Sequence, residues 1–212
     1  MDTAKAQRIL DALEVLYPGA RPELHFTNPF ETLIATILAA QCTDVRVNQV
    51  TAKLFPEYPD AFAMAKLTPA ELEPKIRECG LYRNKAKNIV ATCRALVEQY
   101  DGKVPDTREA MMKLPGVGQK TAGVVLMAAF GDDQIPVDTH VFRVSNRIGL
   151  AHADTPDKVE SQLQQVIPKD RWTHSHHLLI WHGRRCCSAI KPACDRCPLN
   201  NDEPLCESAP DK

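Results

Sequence analysis

Leu114-Pro115-Gly116-Val117-Gly118-Gln119-Lys120-Thr121-Ala122 decides how this chain reads. Val124, Val125, Ala128 and Ala129 continue it at helical spacing, and a helical segment ending near Lys113 precedes it. The pattern is helix, glycine turn, helix, over about residues 107–130. Two glycines around one small apolar residue open backbone conformations closed to other residues, and they leave the N–H groups of a helix N-terminus uncovered. Those amides and the helix dipole attract an anion without any basic side chain. The turn therefore reads as a phosphate-binding element, with Gly116, Val117, Gly118 and Thr121 as candidate contacts. A nucleotide-binding P-loop differs, since it needs a preceding strand and more residues between its glycines.

Lys120 falls in the first turn of the second helix. The positive end of a helix opposes its protonation, and partial burial would add desolvation, so both effects lower its pKa from the usual value of about 10.4. A neutral lysine is a nucleophile able to form a Schiff base; a surface lysine pairing with phosphate is the alternative. Downstream, Pro136-Val137-Asp138-Thr139-His140-Val141-Phe142-Arg143-Val144 starts another helix, with Asp138 as its N-cap. A carboxylate held at a helix N-terminus stays ionised and rigid, which also suits stabilising a cation or relaying a proton to a lysine. His140 and Arg143 sit near that helix start, where they could meet DNA; a satisfied core histidine is the alternative reading of His140.

Outward from these motifs the apolar spacing is helical, as in Ile9, Leu13 and Leu16 and in Phe30, Leu33, Ile34, Ile37 and Leu38. No run alternates as a half-buried strand would. Asn28-Pro29 and Thr155-Pro156 read as caps with a first-turn proline, and Thr68-Pro69-Ala70-Glu71 as a capping box. The spacing predicts an all-α chain of about ten short helices, with loops near Pro18-Gly19, Phe55 to Pro59, Tyr100 to Pro105 and Gly131 to Pro136, and a loose tail after Cys206.

The 212 residues are 44% hydrophobic and 25% charged, which excludes disorder and fibre and allows one compact unit or two small ones. The longest apolar stretch, about 8 residues around Gly123 to Phe130, is far short of the roughly 20 that span a bilayer. With no hydrophobic region of a signal peptide at Met1 to Lys5, the expectation is a soluble, cytoplasmic protein without a membrane partner. The formal net charge of −1 predicts no polyanion partner from whole-chain electrostatics, so nucleic-acid binding must come from a local site.

Five of the eight cysteines follow residue 185. Cys42, Cys79 and Cys93 stand singly among apolar helical positions and read as small buried hydrophobes. Cys187, Cys194, Cys197 and Cys206 have the spacing C-x6-C-x2-C-x8-C, and four thiolates on one short loop can enclose tetrahedral zinc or a [4Fe–4S] cluster. Zinc sites of four cysteines usually carry two C-x-x-C pairs, whereas only Cys194 to Cys197 has that spacing here, which favours the cluster over zinc. Cys186, adjacent to Cys187, reads as a spare thiol, with a place as the first ligand as its alternative.

Together the hairpin, Val137 to Val144, His182-Gly183-Arg184 and the four cysteines resemble the endonuclease III family of helix-hairpin-helix base-excision DNA glycosylases, over about residues 5–207. Gln41-Cys42-Thr43-Asp44 and Gly80-Leu81-Tyr82-Arg83-Asn84-Lys85-Ala86 are weaker matches. The resemblance implies a bilobed all-α fold. One lobe is a six-helix barrel over 22–132; the other joins 1–21 to 133–212 and carries a [4Fe–4S] loop over 187–206. It implies a bifunctional DNA glycosylase/AP lyase that removes oxidised pyrimidines such as thymine glycol, acting as a monomer on duplex DNA with a damaged base or abasic site and associating with the nucleoid. It assigns catalysis to Lys120 and Asp138, facing each other across an interdomain cleft. It gives Gln41 the hole opposite a flipped base, Leu81 the wedge that holds the kink, and Lys191 a phosphate contact from the cysteine loop.

Three departures stand out: the x8 gap before Cys206 where x5 is usual, predicting a longer loop near Leu199 to Pro204; Lys191 as the only basic residue between Cys187 and Cys194; and Gln119 and Gly123 where Arg and Asn are common. The alternatives are a monofunctional adenine glycosylase, against which Lys120 argues, and a non-catalytic metal-containing DNA-binding protein.

Overall fold

A computed structural model describes residues 2–200 and 205–208. Among them every regular element is a helix, without a strand. Its α-helices are α1 (Thr3–Leu16), α2 (Pro29–Ala39), α3 (Asp44–Glu57), α4 (Ala61–Ala65), α5 (Pro69–Ile76), α6 (Tyr82–Tyr100), α7 (Arg108–Met111), α8 (Gln119–Phe130), α9 (Thr139–Ile148), α10 (Pro156–Val166) and α11 (Trp172–Arg185). No described helix is long and apolar enough to cross a membrane. The chain divides into two compact units, one of residues 22–132 and one of 1–21 with 133–212.

In the first unit, short polar side chains start the helices as the sequence predicts. Asn28, Thr43, Asp60 and Thr107 each accept an N–H bond from the helix they precede. Thr68 and Glu71 complete a capping box. Helix α2 is the centre of this unit and buries Phe30 and every residue from Thr32 to Leu38. Around it Leu54, Met64, Leu72, Ile76, Ile89, Leu96, Met111 and Leu126 close one apolar core, where truncating a single Leu or Ile to Ala costs about 2–5 kcal/mol.

The second unit packs α11 against α9 and α1. Its core is Ile9, Leu10 and Leu13 of α1, Val141, Val144 and Ile148 of α9, Val159 and Leu163 of α10, and Leu178 and Leu179 of α11. Gly183 of α11 lies so close to α9 that a Cβ would stand 3.1 Å from His140 and Val144.

Three expectations need correcting. The segment from Phe55 is not loop, because α3 continues through Pro56 to Glu57. Leu54 and Phe55 are buried there, so packing outweighs the one backbone bond that a proline near the helix end removes. Thr155 precedes α10 but makes no side-chain capping bond. The tail expected to be loose after Cys206 is tied down where it begins: Glu207 pairs with Lys5 at 3.3 Å and His152 at 2.6 Å, and the Ser208 N–H donates to the Arg147 carbonyl at 3.0 Å. Residues 209–212 of that tail, and the 201–204 part of the expected longer loop, lie outside the described residues.

Candidate functional site

The glycine turn joins α7 to α8. Gly116 has φ +76°, a left-handed conformation that favours glycine, and a Cβ there would fall 2.8 Å from the Asn88 side chain. Gly118 differs from expectation: its φ of −100° and ψ of −177° suit any residue, and nothing lies within 4 Å of the position a Cβ would take. What Gly118 contributes is an open N-cap, since it caps α8 without a side chain. The first backbone bond into α8 runs from the Ala122 N–H to the Gly118 carbonyl. The amides of Gln119, Lys120 and Thr121 thus lack intrahelical acceptors and form a cradle for an anion. Val117 adds no amide to it. Its side chain is buried and its N–H bonds to the Leu114 carbonyl at 3.2 Å.

Lys120 is exposed on the first turn of α8, so the partial burial expected to desolvate its ammonium is absent. Beside it the Gln119 side-chain Oε1 accepts from Arg108 Nη1 at 2.9 Å. Asp138 caps α9 as predicted: Oδ1 accepts from the His140 N–H at 2.8 Å and from the Val141 N–H at 2.7 Å. Its carboxylate is therefore oriented by backbone alone.

His140 is half-buried and faces Arg143, with Nη2 to Nδ1 at 3.3 Å; burial pushes its pKa down. Arg143 was expected to meet DNA but is committed elsewhere. It donates to the Gly183 carbonyl at 2.9 Å and, from Nε and Nη2, to the Cys187 carbonyl at 3.2 and 3.1 Å. One turn on, Arg147 donates to the carbonyls of Ser188 at 2.7 Å and Ala189 at 3.0 Å, and to Cys187 Sγ at 3.7 Å. Two guanidinium groups of the helix headed by Asp138 thus pin the start of the cysteine loop. Sequence reasoning missed this, although the i, i+4 spacing of the two arginines could have signalled a shared target. Lys191 is exposed in this loop with φ +55°.

The cysteine loop gathers side chains whose chemistry suits a metal centre. Burial and the nearby thiols Cys186 and Cys187 push Cys197 up to about 12, and burial with Cys197, Cys187 and Cys194 raises Cys206. Thiols crowded this way resist ionising unless a cation compensates, which is the condition a metal relieves. Cys186 is nearer the centre than a spare thiol need be: its Sγ, Cys197 Sγ and a ring nitrogen of buried His182 lie within 4.8 Å of one another. His182 Nδ1 meets the Tyr17 hydroxyl at 3.3 Å, and its Nε2 faces Cys197 Sγ at 3.8 Å.

Gln41 and Leu81 are both exposed and both hold left-handed backbone, φ +52° and +45°. Neither is a glycine, and a leucine at positive φ is a strained exception.

These features have counterparts in known proteins. The family model described as HhH-GPD superfamily base excision DNA repair protein matches residues 34–169. The chain is 48% identical to endonuclease III of Synechocystis sp. over 206 residues, covering 97% of this chain and 93% of that protein. It is 47% identical to endonuclease III of Escherichia coli K12 over 207 residues, covering 98% and 97%. Among solved structures, a trapped endonuclease III–DNA covalent intermediate superposes with TM-score 0.93 at 45% identity, covering 99% of this chain and 97% of that one. A non-covalent endonuclease III–DNA complex matches with the same values. The chain belongs to the endonuclease III family of helix-hairpin-helix base-excision repair enzymes, DNA glycosylases that also cleave abasic sites.

Proposed function

We propose that this enzyme excises oxidised pyrimidines of the thymine glycol type from duplex DNA and cleaves the resulting abasic site, with Lys120 as nucleophile and Asp138 as its carboxylate partner. The observation that carries this reading is an exposed lysine on a helix N-terminus with free amides, in a chain 45% identical to a protein trapped covalently on DNA.

A base inside the stack is out of reach, so the nucleotide must leave it, and a lesion that stacks poorly leaves more easily. The amides of α8 grip a phosphate and fix the backbone. Gln41 fills the vacated position, Leu81 wedges the kink, and Lys191 touches phosphate from the cysteine loop.

The Lys120 amine then attacks C1′. A C–N bond forms, the glycosidic bond breaks, and the base departs with the bonding electrons and takes up a proton. The sugar ring opens to an iminium linked to Lys120. Asp138 steadies the positive charge and receives the proton that attack releases. The iminium acidifies a C2′ hydrogen, whose removal expels the 3′ phosphate by β-elimination. Water hydrolyses the Schiff base and returns the free lysine.

Cys187, Cys194, Cys197 and Cys206 would hold a [4Fe–4S] cluster, which would fix the loop by four iron–thiolate bonds. The enzyme would act as a monomer.

Borohydride trapping on duplexes carrying one thymine glycol or one abasic site tests the reading. Wild type should form adducts on both, and Lys120→Ala on neither. Adducts that persist in Lys120→Ala would move the nucleophile elsewhere.

A further inference from the structure

Lys85 is a buried cation that the proposed chemistry does not use. It lies on the first turn of α6 and is 5% exposed. Its Nζ donates to two carbonyls, that of Leu38 at 2.8 Å and that of Cys79 at 2.6 Å. Burying an ammonium is costly unless its donors are satisfied, so this group stays where both acceptors meet it. Desolvation lowers its pKa accordingly.

The two acceptors are not arbitrary backbone. Leu38 is in the last turn of α2, three residues before Gln41; Cys79 stands two residues before Leu81. The Lys85 N–H donates to the Leu81 carbonyl at 3.1 Å as the first backbone bond of α6, so this residue meets Leu81 through its main chain and Cys79 through its side chain. Arg46, in the first turn of α3, and Glu78 form a 2.6 Å ion pair nearby, but that pair is solvent-exposed and worth little by itself. Among the described residues only Gln41, Leu81, Asp101 and Lys191 are non-glycine with positive φ. Two of the four therefore sit on the pair of loops that Lys85 joins. Strained backbone persists only where its surroundings over-determine it, and such strain gathers at functional sites.

We propose that Lys85 is a positioning residue that locks Gln41 and Leu81 into one rigid, solvent-facing unit, poised to enter DNA at the lesion. The proposal rests on the reading of Gln41 and Leu81 as the inserting pair. A pre-set wedge pays its ordering entropy in folding rather than at the DNA. Lys85 does not touch DNA and acts only through the two loops.

A double-mutant cycle on the full-length, cluster-loaded enzyme tests it. Single-turnover excision of thymine glycol and fluorescence of a 2-aminopurine beside the lesion report chemistry and base opening. Lys85→Met should slow both by roughly ten- to a hundredfold, as expected when a reacting assembly loses its placement. Affinity for undamaged duplex, set by the α8 amides, should stay unchanged. In a Gln41→Ala/Leu81→Ala background, Lys85→Met should add nothing. A full multiplicative loss there, or unchanged opening in Lys85→Met, would overturn the proposal. If the alanine parent itself excises at the wild-type rate, the inserting-pair reading fails first, which is a separate outcome and removes the basis for this one. Should Lys85→Met not fold, Lys85→Gln, which keeps two N–H donors on a shorter stem, enters the same cycle.

Discussion

The Thr92 hydroxyl donates to the Pro115 carbonyl at 2.6 Å, docking the glycine turn onto the side of α6. Asn88 meets Gly116 one turn earlier on the same helix, and Lys85 holds two other loops one turn earlier still. One face of α6 thus sets the phosphate-binding turn and both strained loops in register, over about 10 Å of helix.

Thr92→Val keeps the shape of the side chain but leaves the Pro115 carbonyl without its donor. The expected loss is about 1–3 kcal/mol of stability, seen as a lower Tm. Duplex affinity should fall with or without a lesion, because the turn binds phosphate. Binding equal to wild type in the folded variant would show that the docking bond does not control the turn.

The two glycines of the turn should respond differently to alanine. Gly116→Ala meets both a left-handed φ and the Asn88 side chain at 2.8 Å, and should lose about 1–3 kcal/mol. Gly118→Ala meets neither. Thermal unfolding should place Gly118→Ala near wild type, and equal losses in both variants would contradict the backbone geometry.

Asp138 combines a cap with proposed chemistry, and two variants separate these roles. Asn still accepts the His140 and Val141 N–H bonds, so Asp138→Asn should keep wild-type stability while base removal slows far more than binding weakens. Asp138→Ala should lose about 1 kcal/mol of stability as well. If Asp138→Asn excises normally, the carboxylate is only a cap.

His177 makes the second unit sensitive to acid. Burial first, then the neighbouring His176 and His174, push its pKa down to about 3. The unfolded chain therefore takes up a proton near pH 6.5 that the folded chain refuses until about pH 3. This group's contribution to stability is complete above pH 6.5 and is lost as pH falls from there toward 3, by about 3 kcal/mol at pH 4. Replacing it as His177→Gln should flatten the decline in Tm across that window. A decline as steep as wild type's would assign acid sensitivity to other groups.

The cysteines give a test by metal content. Cys206→Ser or Cys194→Ser should lose iron and the broad absorbance expected near 400 nm, while Cys186→Ser should keep both. Iron loss in Cys186→Ser would instead make it a ligand, in keeping with its place beside Cys197 and His182.

Much of this protein was legible in its sequence, because local chemistry determines those features. Helical periodicity and cap residues such as Asn28, Thr68 and Asp138 act within a turn or two, and the hairpin, Lys120 and the cysteine spacing are contiguous strings. Such patterns fixed the all-α class and the family. What only the tertiary structure decided depends on partners distant in sequence. Lys85 reads as one more helical cation until Leu38, 47 residues away, supplies its carbonyl. Arg143 reads as a DNA contact until the Cys187 carbonyl, 44 residues on, claims it. Gly118 and Val117 look alike as turn residues until φ and burial separate them. A periodic pattern states which face of a helix is buried, but the acceptor that meets a buried donor is chosen only when the helices pack.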